Sequence, residues 1–233
     1  MEGCEMSGFA TKAPVIAFLH TSDVHIATFD ALCDRLAPDL KLHHEVRADL
    51  LQDMTPGGCC APGFLSGTRA VLTALAEPPT ALVLCTCSTL GPLAEAIAEA
   101  ENLPFLRFDR PMADAAVAQA DRIAVMGCLE GAVHATGLLI SDAARRAGRQ
   151  IDLQTCCYPE LWDLFCDGAL AAYHAAIAEQ LAKVAATTDL IVLAQASMAP
   201  ALMPGTEIPV PVLSSPELGF RAALAKIGYA AHC

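Results

Sequence analysis

Short apolar runs alternate with amphipathic stretches along most of this chain, and the alternation occurs twice over. The runs at 14–19, 80–85, 103–108, 122–127, 189–194 and 210–215 are too short for buried helices and read as buried strands. Weaker strands are expected at 41–46 and 150–156. Between the runs, Phe29, Leu32, Cys33 and Leu36 recur at helical spacing. Helical patterns follow at 91–102, 112–120, 134–148, 168–188 and 216–228, with 168–188 the longest. Strand, helix and strand in succession imply right-handed crossovers and mostly parallel sheets. Runs without polar alternation fit strands covered on both faces.

The order also repeats. VIAFLHT at 15–21 resembles RIAVMGC at 122–128, an offset of 122 − 15 = 107, and both lead into similar words, VHIAT (24–28) and VHATG (133–137). ALVLCTCST at 81–89 resembles LIVLAQASM at 190–198, which sets Cys87 against Gln195, 108 residues apart. LPFLRFDRP at 103–111 resembles VPVLSSP at 210–216. Three registers in agreement predict an α/β protein of two similar lobes, each a mostly parallel four-stranded sheet flanked by helices, related by a pseudo-two-fold internal duplication. Residues 1–116 are expected to form the first lobe and 117–233 the second. The helix at 216–228 is free to pack back on the first lobe, and the active site is expected in the cleft between them.

A chain that is 55% hydrophobic raises the question of a membrane, but no uninterrupted run approaches the ~20 residues of a bilayer span. The opening MEGCEMSGFATKAP is acidic and lacks the apolar stretch of a signal peptide, so a cytoplasmic location is expected. The net charge of 14 − 26 = −12, with no basic run, argues against a nucleic-acid partner. It does not exclude an anionic substrate, because backbone N–H groups at helix ends bind carboxylates without help from net charge. In the cytosol the eleven cysteines are expected to be reduced and mostly packing residues. The adjacent pairs Cys59-Cys60 and Cys156-Cys157 are poor arrangements for two ligands of one metal, and no His lies at zinc-finger spacing, so neither metal nor cofactor is expected.

In open α/β sheets ligands sit beyond the carboxyl ends of the strands. The loop after the first strand carries His20, Thr21, Ser22, Asp23 and His25, and its second-half counterpart carries Cys128, Glu130 and His134. Cys85 lies inside an apolar run and reads as packing. Cys87 lies at the strand-to-helix turn, followed by Ser88 and Thr89 as capping residues. The positive end of a helix lowers a thiol's pKa and attracts carboxylates. A thiol there is suited to moving a proton at the carbon next to a bound carboxylate, although spacing alone equally allows one more packed thiol. Gln195, Ala196 and Ser197 occupy the matching second-half loop. Asp23 reads as a helix cap. Arg110 reads either as a carboxylate ligand or as the partner of Asp109 in a surface ion pair, and His43-His44 as exposed on a peripheral strand.

VLCTCST (83–89) resembles the first-half motif of the Asp/Glu/hydantoin racemase superfamily, a strand that ends in Cys-Asn-Thr. VLAQASMA (192–199) resembles the hydantoin racemase word Val-Leu-Gly-Cys-Ala-Gly-Met-Ala. The resemblance implies cofactor-independent proton transfer. Two cysteines face opposite sides of the α-carbon, and backbone groups of both motif loops hold the carboxylate. It further implies a small carboxylate substrate and a homodimer as the usual assembly. Carried over, Cys87 is the first-half thiol, with Ser88 and Thr89 in the carboxylate loop. His20, Thr21, Cys128, Gln195, Ala196 and Ser197 are further substrate-binding candidates.

Two positions depart from that pattern. Gln195 stands where the second cysteine belongs. An amide has no useful pKa near neutrality, but it donates hydrogen bonds to a carboxylate or an enediolate-like oxygen. His20-Thr21 stands where glutamate racemases have Asp-Ser. Three routes stay open. One is single-thiol chemistry, as in the arylmalonate decarboxylases of the same superfamily. Another is a second acid/base from His25, His134, Glu130 or Cys128, each of which also reads as a cap, a packed residue or a solvated one. The third is a non-catalytic small-carboxylate binding protein that keeps the cleft.

Overall fold

The structure, a computed structural model, describes residues 14–52, 63–202 and 207–230. Its first lobe holds β1 (Val15–His20), α1 (Ile26–Leu36), β2 (Lys41–Val46), α2 (Asp49–Gln52), α3 (Phe64–Leu75), β3 (Thr80–Cys85), α4 (Gly91–Glu101) and β4 (Phe105–Arg107). After α5 (Arg110–Gln119) come β5 (Arg122–Gly127), α6 (Glu130–Ala147), β6 (Asp152–Cys157), α7 (Trp162–Cys166), α8 (Leu170–Val184), β7 (Leu190–Leu193), β8 (Val212–Leu213) and α9 (Ser215–Lys226). Short 3-10 turns lie at Asp23–His25, Pro159–Leu161 and Ala196–Ala201.

The strands form two parallel four-stranded sheets with the orders β2-β1-β3-β4 and β6-β5-β7-β8. The second order is the first with each strand replaced by its repeat. Register is preserved too: Leu19 pairs with Cys85 in the first sheet, and Met126 pairs with Leu193 in the second. The internal duplication read from the sequence is therefore a duplication of fold.

Each central strand is covered on both faces, which is why its sequence is an unbroken apolar run. Ile16 and Phe18 of β1 pack with α1 (Phe29, Leu32, Leu36), while Ala17 and Leu19 pack with α3 and α4 (Phe64, Leu72, Ala94, Ile97). In the second lobe Ile123 and Val125 meet α6, and Ala124 and Met126 meet α8 through Tyr173, Ile177 and Leu181. The edge strand β2 is only partly covered, and its composition, KLHHEV, is correspondingly polar.

The last helix of each half crosses to the other lobe. Met112, Ala113, Ala116 and Val117 of α5 belong to the second-lobe core, and Phe220, Ala223 and Leu224 of α9 belong to the first. The C-terminal helix thus returns onto the first lobe. Its mirror, α5, contains the expected boundary at 116–117 within its own length.

Several expectations are corrected. The longest described helix is α6, which starts at Glu130 and ends where Gly148 adopts φ 64°; α8 spans 15 residues against 18 for α6. Strands β4 and β8 are shorter than 103–108 and 210–215, because only their middle residues find a ladder partner. Helix α3 lies in a stretch for which the sequence reading predicts no element, although Phe64, Thr68, Leu72 and Leu75 form its buried stripe. Cys59 and Cys60 lie outside the described residues.

Candidate active site

All strands of both sheets are parallel, so the loops after β1, β3, β5 and β7 open at the same edge of each lobe. Between the lobes they enclose a cavity of about 320 Å³. The first lobe contributes Thr21, Ser22, His25, Thr86, Cys87, Ser88 and Thr89, and the second Leu129, Ala194, Gln195, Ala196 and Ser197. Phe29, Phe108, Trp162 and Phe165 make the apolar part of the wall, with Trp162 and Phe165 stacked at 4.7 Å. Among the described lining residues none is Lys, Arg, Asp or Glu, and His25 and Cys87 are the only histidine and cysteine.

Cys87 follows β3 by two residues. The Thr86 N–H still donates to Leu19 O at 3.1 Å, and then the chain turns. The Leu90 N–H donates to Cys87 Sγ at 3.4 Å and the Gly91 N–H to Cys87 O at 2.8 Å. The thiol sulfur thus takes the place of a capping oxygen at this turn. Ser88 and Thr89 sit inside this turn, and neither caps α4, whose preceding residue is Leu90. Cys85 is buried in the first-lobe core, and burial pushes its thiol well above the ordinary range. The two cysteines of the C-x-C thus divide, one into the core and one onto the cavity wall.

The second lobe reproduces the turn with different chemistry. The Ala194 N–H donates to Met126 O at 2.8 Å, matching Thr86 and Leu19. Gln195 follows, and its Oε1 accepts from the backbone N–H of Cys128 at 2.6 Å and of Leu129 at 3.2 Å. Two backbone donors fix the amide's orientation, and among the described residues Nε2 has no hydrogen-bond partner. The Tyr173 hydroxyl bonds to Ser197 Oγ at 3.2 Å and His174 Nε2 lies 3.2 Å from Ser197 O, which holds the 196–201 turn in place.

The remaining candidates separate. His25 lines the cavity, and burial lowers its pKa, so its ring is neutral at neutral pH. Glu130 and His134 are exposed on α6 and do not line the cavity, because the first turns of α6 point them to solvent. Cys128 is fully buried, its thiol pKa raised by burial and its Sγ 3.8 Å from the Tyr173 hydroxyl; it does not line the cavity, and its backbone N–H serves to hold Gln195. His20 is fully buried behind the wall, bonded to Thr86 and His44. His44 accordingly is not the exposed residue expected; only His43 is. Asp23 makes no capping bond and lies in the first turn of a 3-10 helix. Arg110 pairs with Glu95 and Asp142, while Asp109 pairs with the buried Arg107, which also reaches Ser88 O at 3.4 Å behind the Cys87 turn. Thr86, Trp162 and Phe165 were missed as wall residues. Thr86 had a signal, its place beside Cys87; the aromatic pair had none, because it sits in a segment with no repeat partner.

Cys156 and Cys157 are free thiols at the end of β6. Among the described residues no group of three or more His, Cys, Asp or Glu is placed to hold a metal ion, and no helix is long and apolar enough to cross a membrane.

No protein-family model matches the sequence, and no curated protein matches it. Solved structures do match. An aspartate racemase homologue from Pyrococcus horikoshii OT3 aligns with a TM-score of 0.70 at 11% identity, over 93% of this chain and 99% of that one. A glutamate racemase isoform from Bacillus anthracis aligns at 0.63 and 18%, over 94% and 84%. An unliganded arylmalonate decarboxylase aligns at 0.58 and 16%, over 93% of each chain. At these identities the likeness establishes the fold: this chain has the two-lobed architecture of those proteins over nearly its whole length.

Proposed function

We propose that this protein is a cofactor-independent isomerase or lyase of the Asp/Glu/hydantoin racemase superfamily, which moves a proton at a carbon next to a carboxylate with Cys87 as its single thiol. The observation that carries this reading is the pair of pseudo-symmetric turns on one cavity. The first presents a thiol that accepts a backbone N–H, and the second presents an amide where a second thiol would complete a two-base racemase. Backbone groups near Thr21, Ser22, Ser88 and Thr89 take the carboxylate. Gln195 Nε2 donates to an oxygen that gains charge when the carbon becomes carbanionic.

The wall also speaks to the substituent on that carbon. A second carboxylate, as in aspartate or glutamate, would lie against Phe29, Phe108, Trp162 and Phe165 with no Lys or Arg among the described wall residues to pair with. An aryl or alkyl substituent suits that surface. The substrate class is therefore a small carboxylic acid, malonate or hydantoin derivative with an apolar substituent.

The test is solvent deuterium entry. The protein is incubated in D₂O with phenylmalonate, 5-benzylhydantoin, aspartate and glutamate. Deuterium is expected in one enantiomer of an apolar-substituted product, with the activity lost in Cys87→Ser and aspartate and glutamate racemized poorly or not at all. Rapid racemization of aspartate or glutamate, with deuterium in both enantiomers, would show that another residue has replaced the missing thiol. Stabilisation by these acids without any exchange would favour a carboxylate-binding protein.

A further inference from the structure

A single chain of hydrogen bonds runs from the cavity wall to the surface behind Thr86. Thr86 Oγ1 lies 2.8 Å from His20 Nδ1, His20 Nε2 lies 2.9 Å from His44 Nδ1, and His44 Nε2 lies 3.2 Å from Asp30 Oδ1. The strand order β2-β1-β3 sets the three inner residues side by side, and α1 brings the carboxylate. His20 is sealed from solvent, whereas the Asp30 side chain is 55% exposed. The Phe18 ring stacks on both imidazoles, with centroids at 5.5 and 4.9 Å, which fixes their planes.

The geometry fits two proton arrangements. A carboxylate only accepts, so His44 carries hydrogen on Nε2 in both. With His44 neutral, its Nδ1 accepts from His20 Nε2–H, and His20 Nδ1 accepts from the Thr86 hydroxyl. With one more proton, His44 is an imidazolium paired with Asp30. Its Nδ1–H then donates to His20 Nε2, His20 Nδ1–H donates to Thr86, and the Thr86 hydroxyl turns to Leu19 O, 3.4 Å away. Every donor has an acceptor in each state. His20 stays neutral in both: burial, then His44 and His25, lower its pKa to about 4.

We propose that Asp30, His44 and His20 form a proton relay whose inner end is the Thr86 hydroxyl and whose task is to return a proton to Cys87 after each turnover. The proposal rests on the single-thiol reading above. When Cys87 gives its proton to a carbanion it is left as thiolate, and the product keeps a proton that solvent must replace. Thr86 and Cys87 line the same cavity, so in the charged state of the relay the Thr86 O–H bond breaks and, by way of a water molecule in that cavity that takes this proton and gives up one of its own, the Cys87 S–H bond forms. Thr86 takes the proton from His20 Nδ1, and His20 Nε2 takes the one from His44 Nδ1. The thiolate and the imidazolium are neutralised together, and His44 is recharged from water beside Asp30. Thr86 meets the cavity; His20, His44 and Asp30 act through it and are positioning residues.

Nitrogen-15 NMR of the histidine rings in the full chain tests the relay without a substrate. The ionisable groups around it are His25 from the loop after β1, Asp30 from α1 and His44 from β2, and Cys87 shares the cavity wall with Thr86. The ring proton of His20 is expected on Nε2 in the first arrangement and on Nδ1 once the chain holds one more proton, and spectra recorded from about pH 8 to about pH 5 follow the move. A His20 proton that stays on one nitrogen throughout overturns the relay. A second arm uses deuterium entry into the phenylmalonate product. Thr86→Val is expected to lower kcat at least about tenfold with KM unchanged, and Thr86→Ser to restore it. The solvent isotope dependence of kcat is expected to be curved for the wild type and linear for Thr86→Val. A valine variant with wild-type kcat overturns the relay alone. Absence of exchange by the wild type on every acid overturns the single-thiol reading instead, and the tautomer measurement still decides the proton chain.

Discussion

Two cysteines separated by one residue have opposite fates because a strand ends between them. Cys85 belongs to β3 and faces the α3–α4 side, where burial raises its pKa. Cys87 is past the strand, half-buried on the cavity wall, with a backbone N–H on its sulfur. Thiol reactivity follows thiolate fraction and access. Mild alkylation near neutral pH is therefore expected to modify Cys87 and spare Cys85. Cys166 is exposed and should react as well, but it lies off the cavity wall, so a carboxylate ligand is expected to protect Cys87 and not Cys166. Peptide mapping that finds Cys85 modified, or equal protection of Cys87 and Cys166, would sink the assignment of Cys87 as the cavity thiol. At this scale much was legible in the sequence, because position relative to a strand end is a one-dimensional property. The partners of His20 and Arg107 were not, since each is set by neighbouring strands and turns distant in the chain.

Helix α9 shows how an element is held by a single residue type. It crosses β4 so closely that Gly219 rests on the backbone of Phe108; a Cβ there would overlap the Phe108 carbonyl oxygen and lie 2.5 Å from its ring. Backbone cannot swing aside as a flexible side chain can, so Gly219→Ala must push α9 off the first lobe. Overpacking of this kind costs about 1–3 kcal/mol. Lifting α9 also loosens Phe220, Ala223 and Leu224, all of which belong to the first-lobe core. Urea unfolding of Gly219→Ala should show a lower midpoint than the wild type; an unchanged midpoint would mean that the close approach is not needed. Because Phe108 and Ser215 both line the cavity, the same substitution is expected to disturb the site as well.

Two lobes of one design are often two independent units, but here each lends a helix to the other. With α5 in the second-lobe core and α9 in the first, neither lobe is complete when the other unfolds. Thermal unfolding is therefore expected to be one cooperative transition. Trp162, the only tryptophan, reports the second lobe and the cavity, while far-ultraviolet circular dichroism reports both lobes. Coincident transitions are expected; two separate steps would show that the exchanged helices do not couple the lobes.

Periodicity alone determined the two parallel sheets, their repeat and the strand ends that carry Cys87 and Gln195. A strand buried on both faces must be an apolar run, and repeated runs in a fixed order leave few topologies open. Side-chain partners depend instead on distances between segments far apart in the chain. Only tertiary structure decided that Arg110 turns to Glu95 and Asp142, that Glu130 and His134 face solvent, and that His20 is joined to His44. The aromatic wall at Trp162 and Phe165 belongs to the same class. It lies in a segment outside the repeat and meets the site only because the two lobes close on one cavity.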